Sequence, residues 1–150
     1  MVVMFTRVYL DGVFDLGPHA GHIGFMESVR SHAETETGKS VTLIVGVVSD
    51  ADAESYKRRP IVEEHLRAKC VQALRVVDEV VRNSPLILTE DFMTHHKIDL
   101  VYHGDDSTQE NFFAIPISHG KMRYISYDAQ GTGVTTTELI RRAAEYYHGR

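Results

Sequence analysis

The stretch VYLDGVFDLGPHAGH, residues 8–22, decides the fold. Its first three residues are apolar and predict a buried strand that ends at Asp11 and Gly12. Ile23, Met26 and Val29 then recur at helical spacing. A strand that passes through a short turn into a helix is the first half of a β-α-β unit. The stretch therefore predicts a parallel sheet covered by helices.

The rest of the chain repeats this alternation. A continuous run of β-branched residues indicates a strand covered on both faces, and shorter apolar runs indicate three more. These four strands are predicted at 41–48, 76–81, 100–102 and 124–127. No repeat, low-complexity tract or linker divides the chain. We predict one α/β domain over residues 1–150, a Rossmann-like five-stranded parallel sheet with helices on both faces.

Helical patterns separate these strands. Leu66, Cys70 and Leu74 recur at i, i+4 and i+8, which predicts a helix that buries this stripe. A short helix is predicted over 90–96. The last helix opens at Thr135 and Glu138, whose spacing is that of a capping box.

The composition excludes several classes of protein. Sixteen Lys and Arg against 21 Asp and Glu give a net charge of −5, with no basic block, so a nucleic-acid partner is not expected. The single cysteine excludes an internal disulfide and a cysteine-rich zinc site. No signal peptide or membrane-spanning run is visible, so we expect a cytoplasmic protein. Dinucleotide-binding, Walker A and serine nucleophile motifs are absent from the sequence.

His19 and His22 stand three residues apart where the first helix begins. Free backbone N–H groups and the helix dipole favour an anion there, and imidazoles can donate hydrogen bonds to phosphate oxygens. Gly21 would let a ligand approach the backbone. Two exposed loop histidines would give the same pattern, and a metal would need a third ligand that the neighbouring sequence does not offer.

Three further segments could bind a phosphate or nucleoside. Residues 56–60, Tyr-Lys-Arg-Arg-Pro, form a mobile cationic arm, and Arg67 could face the same pocket. Residues 103–106, His-Gly-Asp-Asp, offer carboxylates for Mg²⁺, a base or a ribose. Residues 131–137 lead into the last helix and could cradle a phosphate. A solvated loop, a turn and a helix cap are the ordinary alternatives. Since ligands bind at the carboxyl ends of such strands, the segments together predict a nucleotide site.

These motifs resemble those of the His-x-Gly-His nucleotidyltransferases, specifically the choline-phosphate, ethanolamine-phosphate and glycerol-3-phosphate cytidylyltransferases. The resemblance covers nearly the whole chain. It implies that a phospho-alcohol, or a phosphonate analogue, attacks the α-phosphate of CTP in line and releases pyrophosphate. Mg²⁺ would be carried by the nucleotide, without a metal site of the protein. A role in phospholipid biosynthesis and a homodimer are also expected from this resemblance.

The resemblance also assigns roles to residues. His19 and His22 would stabilise the transition state, Lys57 would bridge the reacting phosphates, and Arg67 would help hold the substrate phosphate. The nucleotide-binding residues would be Gly12, Val13, Phe14, His19, His22, Gly104, Asp105, Gly133, Val134, Thr135 and Thr136. The acceptor-binding residues would be Asp11, Lys57, Arg67 and Leu86.

The chain departs from the family pattern in its first and last signatures. Gly17 and Pro18 fill a gap where the family usually has one residue. Gln130 and Thr132 stand where the last signature has Arg and Glu. Two alternatives therefore stay open: a nucleotide-binding or regulatory protein of the same fold that has lost catalysis, and an ATP-using adenylyltransferase.

A third departure concerns the acceptor. Leu86 stands where choline-type enzymes carry Trp and ethanolamine-type enzymes carry Tyr. Aromatic faces hold a quaternary ammonium by cation–π attraction, so Leu86 argues against choline phosphate. Phe112 and Phe113 are candidates to replace the missing ring.

Overall fold

The computed structural model describes residues 4–106 and 110–149, in which a five-stranded parallel sheet has the strand order β3-β2-β1-β4-β5. The strands are β1 (Phe5–Gly12), β2 (Ser40–Val48), β3 (Glu79–Ser84), β4 (Leu100–Gly104) and β5 (Met122–Ile125). The helices are α1 (Ala20–Thr37), α2 (Asp50–Tyr56), α3 (Glu64–Gln72), α4 (Glu90–His95), α5 (Ala114–Ser118) and α6 (Thr136–Tyr147), with a 3-10 turn at Glu110–Phe113. The predicted Rossmann-like sheet is confirmed.

Apolar side chains cover both faces of the sheet. On one face, Val8 and Leu10 of β1 pack with Met26 of α1 and Val71 of α3. On the other face, Tyr9 of β1 packs with residues of α4 and the 3-10 turn. Successive residues of a strand point to opposite faces, so one strand supplies both cores.

β1 is the central strand, and the chain adds β2 and β3 on one side of it before it returns to add β4 and β5 on the other. In such sheets a crevice opens beyond the carboxyl ends of the two strands where the order reverses. The segments that follow β1 and β4 border this crevice. They contain the two motifs that the sequence places at residues 11–22 and 103–106.

The prediction that Leu66, Cys70 and Leu74 form the buried stripe of one helix, which corresponds to α3, is wrong. Leu66 and Cys70 are exposed, and α3 instead buries Arg67, Ala68 and Val71. The stripe is displaced because Arg67 turns inward, where its guanidinium finds hydrogen-bond partners. A periodicity argument that treats arginine as a surface residue cannot detect this arrangement.

Two strands lie at shifted positions. β3 spans Glu79–Ser84 rather than 76–81, since Val76 and Val77 pack against the core before the strand begins. β5 spans Met122–Ile125 rather than 124–127. None of the helices in residues 4–106 and 110–149 combines the length and apolar character that crossing a bilayer requires.

Candidate active site

A cleft of about 700 Å³ opens beyond the carboxyl ends of β1, β2 and β4. Its size is that of pockets that hold small-molecule ligands and cofactors. The segment after β1, the start of α1, the residues after α2, the end of β4 and the start of α6 form its walls. The predicted site residues that line it are Asp11, Gly12, Val13, Phe14, His22, Lys57, Leu86, Gly104, Thr135 and Thr136.

His19 and His22 form a stacked pair at the start of α1, with ring centroids 3.7 Å apart. The Nδ1 atom of His19 accepts a hydrogen bond from the backbone N–H of Gly21 at 3.1 Å. The Nδ1 atom of His22 accepts one from the backbone N–H of His19 at 3.2 Å. Because a neutral imidazole has one N–H, both rings carry it on Nε2. The sequence predicted these two residues but not this reciprocal capping.

The second nitrogen of His19 is also held. Its Nε2 lies 3.1 Å from Oγ1 of Thr136, and that hydroxyl lies 3.3 Å from the carbonyl oxygen of Asp15. The ring therefore donates to the threonine, which donates to the carbonyl. This chain fixes His19 at the edge of the cleft and leaves His22 to line its wall.

Both rings are uncharged at neutral pH. Burial first, and then the neighbouring His19 and Lys57, lower the pKa of His22 to about 3 although Asp15 opposes them. Burial also lowers the pKa of His19. His22 therefore brings a neutral N–H donor to the cleft. Such a donor can hydrogen-bond an oxyanion without first losing or gaining a proton.

Gly21 serves a different purpose from the predicted one. A Cβ atom at this position would lie 2.1 Å from the carbonyl oxygen of Val134. The absence of a side chain at Gly21 thus lets the backbone segment before α6 pack against α1, rather than letting a ligand approach. Gly133 and Val134 lie outside the cleft lining, whereas Thr135 and Thr136 belong to it.

Asp15 organises the turn between β1 and α1. Its carboxylate is almost fully buried and accepts hydrogen bonds from the backbone N–H groups of Ile61 at 2.8 Å and Val62 at 3.0 Å. Arg58 forms an ion pair with it at 3.0 Å. These donors, with the Leu16 N–H, hold the pKa of Asp15 below its usual value against the effect of burial. The cationic arm is therefore fastened to the first motif. Asp15 belongs to the first motif, but the sequence pattern alone indicates no role for it.

Lys57 and Arg58 of that arm both line the cleft, and Lys57 forms no ion pair within 4 Å among the described residues, whereas Arg58 is paired with Asp15. The Lys57 ammonium lies 5.6 Å from the centroid of the Tyr56 ring, within the range of a cation–π contact. Burial lowers the pKa of Lys57, while the charges of Asp106 and Asp11 act in the opposite direction. An incoming phosphate would meet a partly desolvated cation here.

Arg67 does not line the cleft, contrary to its predicted contact with substrate phosphate. It is completely buried. Its guanidinium donates to the carbonyl oxygens of Val62 at 2.8 Å and Val13 at 2.6 Å, and to the carboxylate of Asp50 at 2.6 Å. It therefore positions the segments after β1 and β2 from behind the cleft wall.

At the end of β4, the neighbour of a predicted residue lies in the cleft. Asp105 is exposed and outside the cleft lining, and its backbone N–H donates to the carbonyl of Ile125 at 2.9 Å. Asp106 and His103 line the cleft with Gly104. The pair of aspartates was visible in the sequence, but only the direction of the turn decides which one faces inward.

Asp11 and Leu86, which are predicted to bind the acceptor, both line the cleft. Burial raises the pKa of Asp11 to about 7, although Lys57 and Tyr9 act to lower it. Phe112 and Phe113 also line the cleft, and Phe112 contacts the edge of the Tyr56 ring at 6.0 Å. The rings of Tyr56, Phe112 and Phe113 are thus part of the cleft lining although Leu86 supplies none.

The sequence profile described as cytidylyltransferase-like matches residues 9–142. The chain belongs to this family. Among curated relatives, choline-phosphate cytidylyltransferase A of Rattus norvegicus is 35% identical over 143 residues, which are 95% of this chain and 37% of that protein. Ethanolamine-phosphate cytidylyltransferase of Arabidopsis thaliana is 33% identical over 145 residues, covering 91% of this chain and 32% of that protein. The chain thus spans about a third of the length of these relatives.

A solved structure has the same fold. The lipopolysaccharide core biosynthesis protein from Thermoplasma volcanium GSS1 superposes with a TM-score of 0.61 at 24% identity. The match covers 82% of this chain and 98% of that one.

The departures of this cytidylyltransferase-like chain from its family are accommodated locally. The additional residue in the Gly17-Pro18 turn precedes His19 and leaves the capping of the histidine pair in place. Gln130 donates to Glu27 of α1 at 3.3 Å. The backbone N–H and the hydroxyl of Thr132 bind the carboxylate of Asp128 at 2.8 and 3.0 Å. These two residues therefore hold the segment before α6.

A cytidylyltransferase-like site has to accommodate the cation that accompanies a nucleoside triphosphate. In residues 4–106 and 110–149, no group of three or more His, Cys, Asp or Glu side chains could hold a metal ion together. Mg²⁺ keeps several waters and binds through one or two carboxylates and substrate phosphates rather than a protein cage. The carboxylate of Asp106 in the cleft fits such a cation.

Proposed function

We propose that this chain is a cytidylyltransferase that transfers CMP from CTP to a small phospho-alcohol, or to a phosphonate analogue, and releases pyrophosphate. The observation that carries the proposal is the pair of neutral histidines at the start of α1. His22 brings an N–H donor to the cleft near Lys57, on a cytidylyltransferase-like fold. Relatives named for CTP-dependent transfer to choline phosphate and ethanolamine phosphate support the same reaction class.

The reaction proceeds in line. A phosphate or phosphonate oxygen of the acceptor forms a bond with the α-phosphorus of CTP, and the bond from that phosphorus to the bridging oxygen breaks. His22 donates its Nε2–H to a phosphate oxygen as charge develops, and Lys57 lies between the two anions and offsets their repulsion. Mg²⁺ supplies charge neutralisation to the departing pyrophosphate when it is bound. Asp15 and Arg67 keep the histidine turn and the arm in register.

The nucleotide contacts come from the predicted segments. The backbone of Gly12, Val13 and Phe14 and the start of α6 at Thr135 and Thr136 bind CTP. These segments border the cleft next to the N-terminus of α1 and the start of α6, where backbone N–H groups favour phosphate. At the end of β4, Gly104 approaches the nucleoside. Asp105, Gly133 and Val134 support this side of the cleft from outside its lining.

The acceptor lies at the other end of the cleft, against Asp11, Lys57 and Leu86. The aromatic rings of Phe112 and Phe113 offset the loss of an aromatic residue at position 86. The acceptor is therefore small, and a cationic head group has a carboxylate to face. The protein works as a homodimer in the cytoplasm. It has no nucleic-acid partner, and its net charge of −5 supports this last point. Sedimentation of the purified protein tests the homodimer.

A panel of acceptors tests the proposal. CTP is offered with phosphocholine, phosphoethanolamine, glycerol phosphate or 2-hydroxyethylphosphonate, and pyrophosphate release is measured. We expect release with CTP and with at least one acceptor. CTP binding in calorimetry without release across the panel would show a nucleotide-binding protein that has lost catalysis. Turnover with ATP and not with CTP would show an adenylyltransferase.

A further inference from the structure

Two hydroxyl groups in the described part of the chain are buried without a hydrogen-bond partner, those of Tyr9 and Ser84. Both residues are fully inaccessible to solvent. Buried hydroxyls are normally satisfied, because burial removes the hydrogen bonds that water would make. Ser84 and Asp11 lie within hydrogen-bonding reach of the Tyr9 hydroxyl, since both affect its pKa, so an ionised Asp11 can supply the acceptor that the pair lacks.

The two side chains converge on one point behind the cleft. Tyr9 and Asp11 lie two residues apart on β1 and point to the same face, and Asp11 is paired in register with Gly46 of β2. A Cβ atom on Gly46 would lie 2.2 Å from the Tyr9 hydroxyl oxygen and 2.8 Å from Cβ of Ser84. The missing side chain of Gly46 thus makes room for both groups beside Asp11.

Asp11 separates these hydroxyls from the cleft. Its side chain lines the cleft, whereas Tyr9 and Ser84 do not. The groups that face Asp11 are Tyr9 behind it, Lys57 after α2, and Tyr56 of α2. In the described residues, Asp11 takes part in no ion pair within 4 Å. A carboxyl with these neighbours ionises readily only when additional hydrogen bonds or a cation reach it.

We propose that Ser84 and Tyr9 are positioning residues that hydrogen-bond Asp11 in relay when it ionises to receive a cationic acceptor head group. The Ser84 O–H donates to the Tyr9 oxygen, and the Tyr9 O–H donates to the carboxylate. This direction follows because an ionised carboxylate only accepts, whereas each hydroxyl can donate and accept. The relay favours an amino-alcohol phosphate over a neutral polyol phosphate. This inference rests on the proposed function.

The kinetic test uses Tyr9→Phe and Ser84→Ala. Tyr102→Phe is the matched control, since Tyr102 is a buried tyrosine on the opposite face whose hydroxyl lies 2.7 Å from Nδ1 of His32. In Tyr9→Phe we expect KM for phosphoethanolamine to rise about tenfold, as for one hydrogen bond to a charged group. KM for CTP and for glycerol phosphate stays unchanged. Ser84→Ala also raises KM for phosphoethanolamine, but by a smaller factor.

A second measurement does not depend on turnover. The pKa of the Asp11 carboxyl is followed by ¹³C NMR in the wild-type protein and in the three variants, without substrates. We expect Tyr9→Phe to raise it by about one unit, because the ionised form loses a donor. Ser84→Ala raises it less, and Tyr102→Phe leaves it in place.

The outcomes separate this inference from the proposed function. An Asp11 pKa that does not move in folded Tyr9→Phe and Ser84→Ala proteins overturns the relay. Equal changes in KM for the cationic and the neutral acceptor overturn the preference for an amino-alcohol phosphate. A moved pKa without pyrophosphate release from any acceptor overturns the proposed function and the acceptor preference while it supports the hydroxyl relay to Asp11.

Discussion

At the amino-terminal ends of the strands, charged side chains are paired with one another. Arg7 binds Glu79 at 2.7 Å and also donates to the carbonyl of His96, and Arg30 binds Asp78 at 2.8 Å. These contacts tie the loops at that end of the sheet. Their charges are exposed enough that each pair contributes little to stability by itself.

At the carboxyl-terminal ends, charged and polar groups face a cleft instead. In the described residues Asp11 and Lys57 form no ion pair within 4 Å, and His22 is buried as a neutral ring. Of the ion pairs there, that of Arg67 with Asp50 lies behind the cleft wall, whereas Arg58 and Asp15 pair with each other within the cleft lining. Charged side chains at the amino-terminal end thus pair with one another and stabilise the fold. At the carboxyl-terminal end some charged side chains of the described residues remain unpaired and can bind a ligand.

Removal of a histidine at each end tests this difference most strongly. His22→Ala lowers kcat by about 10³-fold, since it removes a hydrogen bond that forms with charge in the transition state. His96→Ala, at the amino-terminal end, leaves kcat unchanged. Pyrophosphate release measures both, and circular dichroism verifies that both variants fold. Wild-type turnover of folded His22→Ala would contradict the mechanism.

Two arginine variants compare the ends in stability. Arg67→Met lowers the free energy of unfolding by about 3–5 kcal/mol, because it leaves Asp50 and two carbonyl groups without their buried partner. Arg7→Met lowers it by about 1 kcal/mol or less, since that ion pair is partly exposed. Urea denaturation measures both. Equal losses of unfolding free energy in the two variants would show that the buried hydrogen bonds of Arg67 do not stabilise the surrounding loops as expected.

Lysine variants sharpen the comparison for substrate binding. Lys57→Gln lowers kcat/KM by about 10²-fold, because the cleft loses the cation that faces the reacting phosphates. Lys39→Gln, an exposed site near the amino-terminal ends, is the control and leaves kcat/KM unchanged. If both variants lose activity equally, the effect comes from net charge rather than from the position of Lys57.

The smallest expected effect is on the pH dependence of stability. Between pH values of about 3, the pKa of folded His22, and 6.5, the ordinary pKa of a histidine, His22 binds fewer protons in the folded than in the unfolded chain. Its contribution to stability therefore falls as the pH drops through this range. Asp11 binds more protons folded than unfolded between 3.8 and about 7, so its contribution falls as the pH rises through that range.

The two contributions therefore oppose each other near pH 5. Relative to the wild type, His22→Asn gains stability from pH 8 to pH 5, and Asp11→Asn gains stability from pH 5 to pH 8. Glu79→Gln at the other end shows no such change, since its pKa is lowered by Arg7 and lies below this range. Urea denaturation at both pH values checks the signs, and the same slope in all three variants would contradict them.

The sequence was sufficient for the sheet, because alternating apolar runs determine strands whatever their loops do. It was sufficient for His19 and His22, since a helix start can be located by pattern. It did not predict that Arg67 is buried. That burial depends on hydrogen bonds to the carbonyl groups of Val13 and Val62, whose positions no hydrophobic periodicity indicates. Nor did it distinguish Asp105 from Asp106, because one backbone turn decides which faces the cleft.

The hydroxyl pair behind Asp11 shows the same limit. Tyr9 is a plausible core residue in a strand, and Ser84 is an ordinary residue at a strand end. Only the pairing of β1 with β2 places Gly46 beneath them and brings both side chains together. An arrangement of side chains from three strands cannot be predicted from local sequence patterns.

The hydrogen bond between His19 and Thr136 joins residues 117 positions apart. During synthesis, the first motif leaves the ribosome long before its partner exists. Until the segment before α6 closes over Gly21, the Nε2 atom of His19 lacks its Thr136 partner. Closing so long a loop is slow compared with forming local contacts. The hydrogen-bond chain from His19 through Thr136 to Asp15 is therefore completed only late in folding.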